Sequence, residues 1–280
     1  MRIKKSSNGN QYLLTEQSRW VRNFTKPIVP FLDINHTISP EDYFVFLKNE
    51  VQNGIKRYTW IDSEKIYHPR IVIISDGFEF SKRHKMLEDL PKDTAIIGVN
   101  RSLAKWDVPS RSMNYYVVNN PYGECMKYLP RGNRTLPKCI ASARTNYEFL
   151  ENYRGTKYRY YPVNESKYAT LGAKETSWQI DDYRNPICAA IGLAYRFGVE
   201  QLLLLCCDDV FKEERPGATK LDNGLWIYPQ QEIATGLIDG NLHWLQSQQH
   251  AEVYVKNCSD GLLLKNASYI NEEKIATFWE

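Results

Sequence analysis

Residues Asn185–Asp209, NPICAAIGLAYRFGVEQLLLLCCDD, decide the fold. Asn185 is a strong helix N-cap, and Pro186 takes the first helical position, where its missing N–H costs nothing. Apolar residues recur at helical spacing through Phe197, and Gly198 stops the helix as a left-handed cap. Gln201–Cys207 is an apolar run of strand length, the signature of a strand buried on both faces. It ends abruptly in Asp208 and Asp209. A buried strand that delivers carboxylates at its C-terminal end is how an open α/β sheet presents groups to a ligand.

The same pattern repeats toward the N-terminus. RIVIIS (Arg70–Ser75) is a strand ending in Asp76-Gly77, and TAIIGV (Thr94–Val99) is a strand ending in Asn100-Arg101. MNYYVV (Met113–Val118) ends in Asn119-Asn120, KCIASA (Lys138–Ala143) follows, and Tyr158–Val163 is a weaker fifth strand. Helices are predicted over Ser81–Leu90, Ser102–Trp106 and Pro121–Tyr128, and another follows the KCIASA strand and runs through Tyr153. This alternation predicts the α/β class, with a Rossmann-like, mostly parallel sheet and helices on both faces. Right-handed crossovers then set all the strand C-termini along one edge.

The alternation runs unbroken from about residue 68 to 258, so residues 68–280 are expected to form one Rossmann-like domain. Residues 1–67 read as an N-terminal arm and helix. Gly9-Asn10 separates two short runs, Ile3–Ser7 and Gln11–Thr15, a hairpin pattern. Ser39-Pro40-Glu41-Asp42 starts a helix whose periodicity continues over Tyr43–Tyr58. The arm is the expected contact of a homo-oligomer.

Composition excludes several classes. An aromatic content of 13%, with 19 tyrosines, is incompatible with a disordered chain. A net charge of +3, from 36 basic and 33 acidic residues, carries no nucleic-acid signal. No apolar run reaches the length of a membrane span, and no signal-peptide core is visible. Cys125, Cys139, Cys188, Cys206, Cys207 and Cys258 show no C-x-x-C spacing and fit packed thiols in a reducing cytoplasm.

The candidate site is the set of strand-end residues: Asp76, Gly77, Asn100, Arg101, Asn119, Asn120, Arg144, Asp208 and Asp209. Asn120 precedes proline, so a capping role explains it equally well. The turn Ser75–Phe78 is where a phosphate meets backbone N–H groups at a helix start. Neither G-x-G-x-x-G nor a Walker A motif is present, which disfavours a dinucleotide fingerprint or a P-loop. Asp208-Asp209 suits a divalent ion such as Mg2+ bridging a diphosphate, or the capping of a loop. Phe211–Pro229 is a long polar loop of the lid type, with Lys212, Arg215 and Lys220 either meeting phosphate or simply solvated. His243 lies on an amphipathic helix, Gln230–Gln249, with Ile233, Leu237, Leu242 and Leu245 on its buried side; a structural role is expected for it. Tyr158, Tyr160, Tyr161 and Tyr168, with Lys157 and Arg159, fit either stacking on a sugar or base, or ordinary strand packing. No Ser/His/Asp set, metalloprotease motif or reactive-cysteine context is visible.

The order of these elements resembles the bacterial sialyltransferase family of Rossmann-like, metal-independent glycosyltransferases. It also resembles the related motility accessory factor / hydroxymethylpterin diphosphokinase-like family. The resemblance spans roughly residues 68–265. The turn at Ile73–Phe78 takes the place of a G-x-G-P-S-type turn, and Gly98-Val99-Asn100-Arg101 that of a strand ending in a nucleotide-contacting Asn. Val118-Asn119-Asn120 matches a polar strand end, and Ala189–Gly198 with Leu202–Asp209 matches a small-residue helix leading to a strand that ends G-x-D. Gln231–Gln249, Val253–Val255 and Asn257–Leu263 match the final helix, strand and loop. The departures are Cys207 where the family has glycine, Phe78-Glu79 where it has proline-serine, and no histidine in residues 210–229.

The expectation is therefore a cytoplasmic, glycosyltransferase-like transferase that binds a nucleotide or nucleotide-sugar. The turn with Asp76 and Gly77, and the pair Asn100 and Arg101, would hold the nucleotide. Asn119 or Asn120 would meet its ribose or phosphate. Asp209, with Asp208, would orient the acceptor or a metal. Two alternatives stand beside it: Mg2+-dependent diphosphate transfer onto a small heterocyclic alcohol, and a non-catalytic binding or assembly module on the same fold.

Overall fold

The computed structural model describes residues 3–5, 11–14, 20–23, 40–56, 58–61, 66–132, 134–162, 179–180, 182–208, 210–248, 253–259 and 264–279. The chain begins with β1 (Ile3–Lys5), β2 (Gln11–Leu14), β3 (Trp20–Asn23), α1 (Pro40–Ile55) and β4 (Thr59–Trp60). Then come β5 (Arg70–Ile74), α2 (Phe80–Arg83), β6 (Ala95–Val99), α3 (Ser102–Lys105), β7 (Tyr115–Val118), β8 (Lys138–Ser142), α4 (Tyr147–Asn152), β9 (Lys157–Pro162) and β10 (Gln179–Ile180). It closes with α5 (Pro186–Arg196), β11 (Gln201–Leu205), β12 (Thr219–Lys220), β13 (Trp226–Ile227), α6 (Pro229–Gln248), β14 (Tyr254–Cys258) and β15 (Ser268–Tyr269).

Among the described residues, ten strands form one sheet in the order β10-β9-β8-β7-β6-β5-β11-β14-β15, with β4 also paired to β9. Every pairing in it is parallel. The apolar runs explain why. Alternate residues of a strand point to opposite faces, so a run such as RIVII feeds two cores at once. Ile71 and Ile73 enter one layer with α5 and α6. Val72 and Ile74 enter the opposite layer with Phe80, Leu103 and Phe149. Each such buried side chain contributes about 1.5–3 kcal/mol. The fold is thus α/β and Rossmann-like, as expected. No helix among the described residues is long and apolar enough to cross a membrane.

The helix α5 sets the topology. Asn185 Oδ1 accepts from the Ile187 amide at 2.8 Å, and Gly198 adopts φ 75°, so both termini are capped as the sequence implies. All residues from Ile187 to Arg196 are buried, because α5 is packed between the sheet and α6. Strands β5 to β9 step in one direction across the sheet. Then α5 returns beneath β5–β7 on the other face and delivers β11 next to β5. Reversing direction and face together preserves right-handed crossovers. The switch point of the sheet is therefore the gap between the C-terminal ends of β5 and β11.

Several expectations shift. Pro121–Tyr128 is not an α-helix; a 3-10 helix covers Gly123–Tyr128 instead. Ser81–Leu90 splits into α2 and a 3-10 helix over His84–Asp89. Segments of one or two turns gain too little from propagation to hold α geometry, so local packing sets their pitch. Ile233 of α6 is 62% exposed rather than buried, whereas Leu237, Leu242 and Leu245 are in the core. At the N-terminus β1 pairs antiparallel with β2, Ile3 opposite Leu13, and β3 adds to β2. The Gly9-Asn10 turn lies outside the described residues.

Candidate functional site

At the switch point, Ile74 and Leu205 sit opposite each other, so the segments after β5 and β11 leave the sheet side by side. The Gly77 amide donates to the Cys206 carbonyl at 3.0 Å, and the Phe78 amide donates to Asp208 Oδ1 at 2.7 Å. A Cβ at Gly77 would run into the Asp208 carbonyl oxygen and lie 2.5 Å from that of Cys206, so only glycine permits this approach. Asp208 is buried and caps the turn with its carboxylate. The two amides expected to meet a phosphate are thus engaged within the chain. Asp209 lies outside the described residues. Among the described residues, no group of three or more His, Cys, Asp or Glu side chains is placed to hold a metal.

The cations beside this turn are side chains. Asp76 Oδ2 accepts from Arg101 Nε at 2.8 Å and Lys105 Nζ at 3.2 Å, and both cations are about half exposed. Two positive groups share one carboxylate, which leaves a positive rim. Lys105 went unnamed in the sequence reading, yet it follows Arg101 by one helical turn and so shares its face. Asn100 Nδ2 reaches Ser75 Oγ at 3.4 Å, and the Asn100 carbonyl accepts from Tyr116 Oη at 2.9 Å. In the lid-type loop, β12 and β13 form a small hairpin. Its cations rest on aromatic rings: Lys212 on Phe78 at 5.1 Å, Arg215 on Phe211 at 4.4 Å, and Lys220 on Trp226 at 5.9 Å. Lys212 thereby borders the same turn.

At the other end of the edge, Asp182 collects donors. It accepts from Tyr160 Oη at 2.7 Å, Asn119 Nδ2 at 3.2 Å and the Arg184 amide at 2.9 Å. Burial raises its carboxyl above the usual aspartate range, and these donors oppose that rise. Asn120 instead closes a local turn, its Oδ1 accepting from the Tyr122 amide at 2.8 Å. Asp182 gave no sequence signal, because it belongs to no periodic element and its importance comes from burial. Tyr158, Tyr160 and Tyr161 are all buried, so they pack the interior rather than form a stacking platform; Tyr168 lies outside the described residues.

Helix α1 roofs this end. Asn49 Nδ2 donates to the carbonyls of Pro121 at 2.8 Å and Arg144 at 3.1 Å. Asn53 Nδ2 donates to those of Ala143 at 3.0 Å and Thr145 at 2.8 Å. Asp42 accepts from Tyr122 Oη, and Glu50 lies 4.0 Å from Arg144 Nε. The Phe46 ring is flanked by the guanidinium groups of Arg144 at 5.5 Å and Arg184 at 5.1 Å. Positions 42, 46, 49, 50 and 53 share one face of a helix, which is why a single element supplies all these contacts.

Backbone strain marks the same edge. Among the described residues, the non-glycine positions with positive φ are Glu79, Asn100, Tyr183, Arg184 and Cys206. They follow β5, β6 and β11 or precede α5. Such conformations cost of order 1–3 kcal/mol each and gather at functional sites. His243, by contrast, is exposed on α6. The six cysteines are buried thiols, and burial pushes the Cys206 thiol well up.

No protein-family model and no curated protein matches the chain. Among solved structures it is similar to the MAf glycosyltransferase from Magnetospirillum magneticum AMB-1, with a TM-score of 0.63 and 15% identity over 87% of this chain. The chain spans 40% of the length of that structure. At this identity the likeness is one of fold: a Rossmann-like α/β sheet also found in a glycosyltransferase.

Proposed function

We propose that this chain is a glycosyltransferase-like transferase that binds a nucleotide or nucleotide-sugar along the carboxyl edge of its sheet. The observation that carries this reading is that, among the described residues, the five strained non-glycine positions all lie on that edge, with Glu79, Asn100 and Cys206 beside the switch point and Tyr183 and Arg184 just before α5. The fold likeness to a glycosyltransferase supports it. The nucleotide lies near the turn after β5. Because the Gly77 and Phe78 amides are engaged, its phosphates meet the side chains of Arg101, Lys105 and Lys212, with Asn100 alongside. Asp76 holds Arg101 and Lys105 in place before the ligand arrives. Charge that develops on the leaving phosphate is then stabilised by preset cations, and the remaining rate gain comes from positioning. Asn119 is fixed by Asp182 and orients the ribose or the transferred group. Asp209, next in sequence to the capping Asp208, orients the acceptor. Buried thiols suit a cytoplasmic setting.

The test is a thermal-shift screen against nucleotides and nucleotide-sugars, with and without Mg2+. A ligand that binds only the folded chain raises the melting temperature at concentrations far above its Kd. Stabilisation by a cytidine or uridine sugar nucleotide without metal is expected. Arg101→Gln should weaken it by about tenfold or more, the scale of one charge-assisted hydrogen bond. The self-capped turn favours a second reading, a binding or assembly module on the same fold. That reading predicts no stabilisation by any nucleotide.

A further inference from the structure

Lys105, on the positive rim of the switch point, stands at the end of a very short element. Helix α3 is four residues long, and so is α2, whose Phe80 ring lies under the Lys105 ammonium. One turn gains almost nothing from helix propagation, so its position depends on ties to its surroundings. His84 supplies such a tie on both sides of Lys105. It is buried, and its ring stacks on that of Phe80 at 5.0 Å with an interplanar angle of 4°. A carbonyl only accepts, so His84 Nδ1 donates to the Phe80 carbonyl at 2.6 Å, while Nε2 pairs with Asp107 Oδ1. The Lys105 ammonium lies 5.9 Å from the centre of the Phe80 ring and 3.2 Å from Asp76 Oδ2. His84 thus fixes both the ring beneath Lys105 and the chain two residues beyond it. Histidine suits this task, because it offers a stacking face and two nitrogens that point in different directions.

We propose that His84 is a positioning residue: through Phe80 and Asp107 it holds the Lys105 ammonium against Asp76 at the switch point. That the ammonium so held serves a phosphate rests on the function proposed above; the tie itself does not. Arg134 donates to the Trp106 carbonyl, and Trp106 Nε1 donates to that of Arg111 at 3.3 Å. The loop bearing Asp107 therefore has other anchors, and cutting the tie should loosen Lys105 without unfolding the chain.

The first measurement acetylates the full, ligand-free chain with an N-hydroxysuccinimide ester. Mass spectrometry follows Lys105 relative to the exposed Lys92. A lysine held against a carboxylate is acylated more slowly than one free in solvent, so the ratio reports the contact with Asp76. The Asp107 side chain is 71% exposed, and Asp107→Ala should melt within about 2 °C of the parent. It should raise the ratio about threefold or more, the scale of one hydrogen bond. Asp107→Asn keeps an acceptor and should restore most of the parent ratio. His84→Phe keeps a stacking ring but loses both nitrogens, so it should match Asp107→Ala, and the double variant should be no faster than either single one. Parent-like ratios in both Asp107→Ala and His84→Phe overturn the proposal, as do fully additive effects in the double variant. The second measurement titrates the same variants with sodium pyrophosphate, at ionic strength held constant with NaCl, and reads melting temperature. A saturable rise is expected in the parent, about threefold weaker in Asp107→Ala, and equally weak in Lys105→Gln with or without Asp107→Ala. Faster Lys105 acetylation with no response to pyrophosphate or any nucleotide-sugar would leave the positioning role standing and remove the transferase reading.

Discussion

Beside β11, the turn after β5 gives its amides to Cys206 and Asp208 of the neighbouring strand end. Beyond β8, the loop at residues 143–145 gives its carbonyls to Asn49 and Asn53 of a helix 90 to 95 residues earlier. The first region satisfies donors with its own acceptors, and the second satisfies acceptors with borrowed donors. This difference decides what a ligand would meet. At the switch point the backbone is already occupied, and only side chains such as Arg101 and Lys105 remain to greet an anion. Under α1 the carbonyls are already covered by the side-chain amides of Asn49 and Asn53.

The sharpest break of this comparison is Gly77→Ala. Its Cβ would meet backbone oxygens, which cannot swing aside, and a loss of about 3 kcal/mol is expected from urea unfolding. Gly98→Ala is the control, because there the nearest atoms are the flexible end of Met113; about 1 kcal/mol is expected. At the roofed end, Asn53→Ala removes two buried hydrogen bonds and should cost about 2 kcal/mol. If it costs nothing, α1 is not held by its amides. Asp208→Ala should cost about 1–2 kcal/mol and Asp208→Asn clearly less, since an amide oxygen still accepts from Phe78. Equal losses would mean that charge, not the cap, matters at that turn.

A smaller effect appears in the pH dependence. The Asp182 carboxyl titrates above its usual range in the folded chain, so the folded state binds the proton more tightly than the unfolded state. Stability from this group is fully present below the ordinary value of 3.8 and falls as pH rises through the raised folded value. The stability difference between Asp182→Asn and the parent should therefore vary with pH just above 3.8 and flatten beyond the folded value. A difference constant with pH across that window would contradict the burial of this charge.

Much of the switch-point region was legible in the sequence. The runs at Arg70–Ile74 and Gln201–Leu205 alternate apolar side chains into two cores, and their polar ends follow directly. Asn185 and Gly198 named the ends of α5 because capping is local chemistry. The roofed region was less legible. Asn49 and Asn53 look like ordinary polar residues of an amphipathic helix until their partners arrive from residues 121 and 143–145. Asp182 sits in irregular chain, where periodicity carries no information. The tyrosines of β9 illustrate the same limit, since alternation alone does not separate a stacking surface from a packed core.

The pairing of β5 with β11 also has a history in time. Arg70 and Gln201, joined in that ladder, are 131 residues apart in the chain. A ribosome adding about 5–20 residues each second needs roughly 7–26 s to bridge that interval. Until β11 emerges, the strand RIVII has one edge unpaired, with N–H and C=O groups facing outward. An apolar segment of this kind is an aggregation hazard while it waits. The centre of the finished sheet is thus the weak margin of the nascent chain, and truncation before Gln201 should yield material that self-associates rather than a smaller soluble fold.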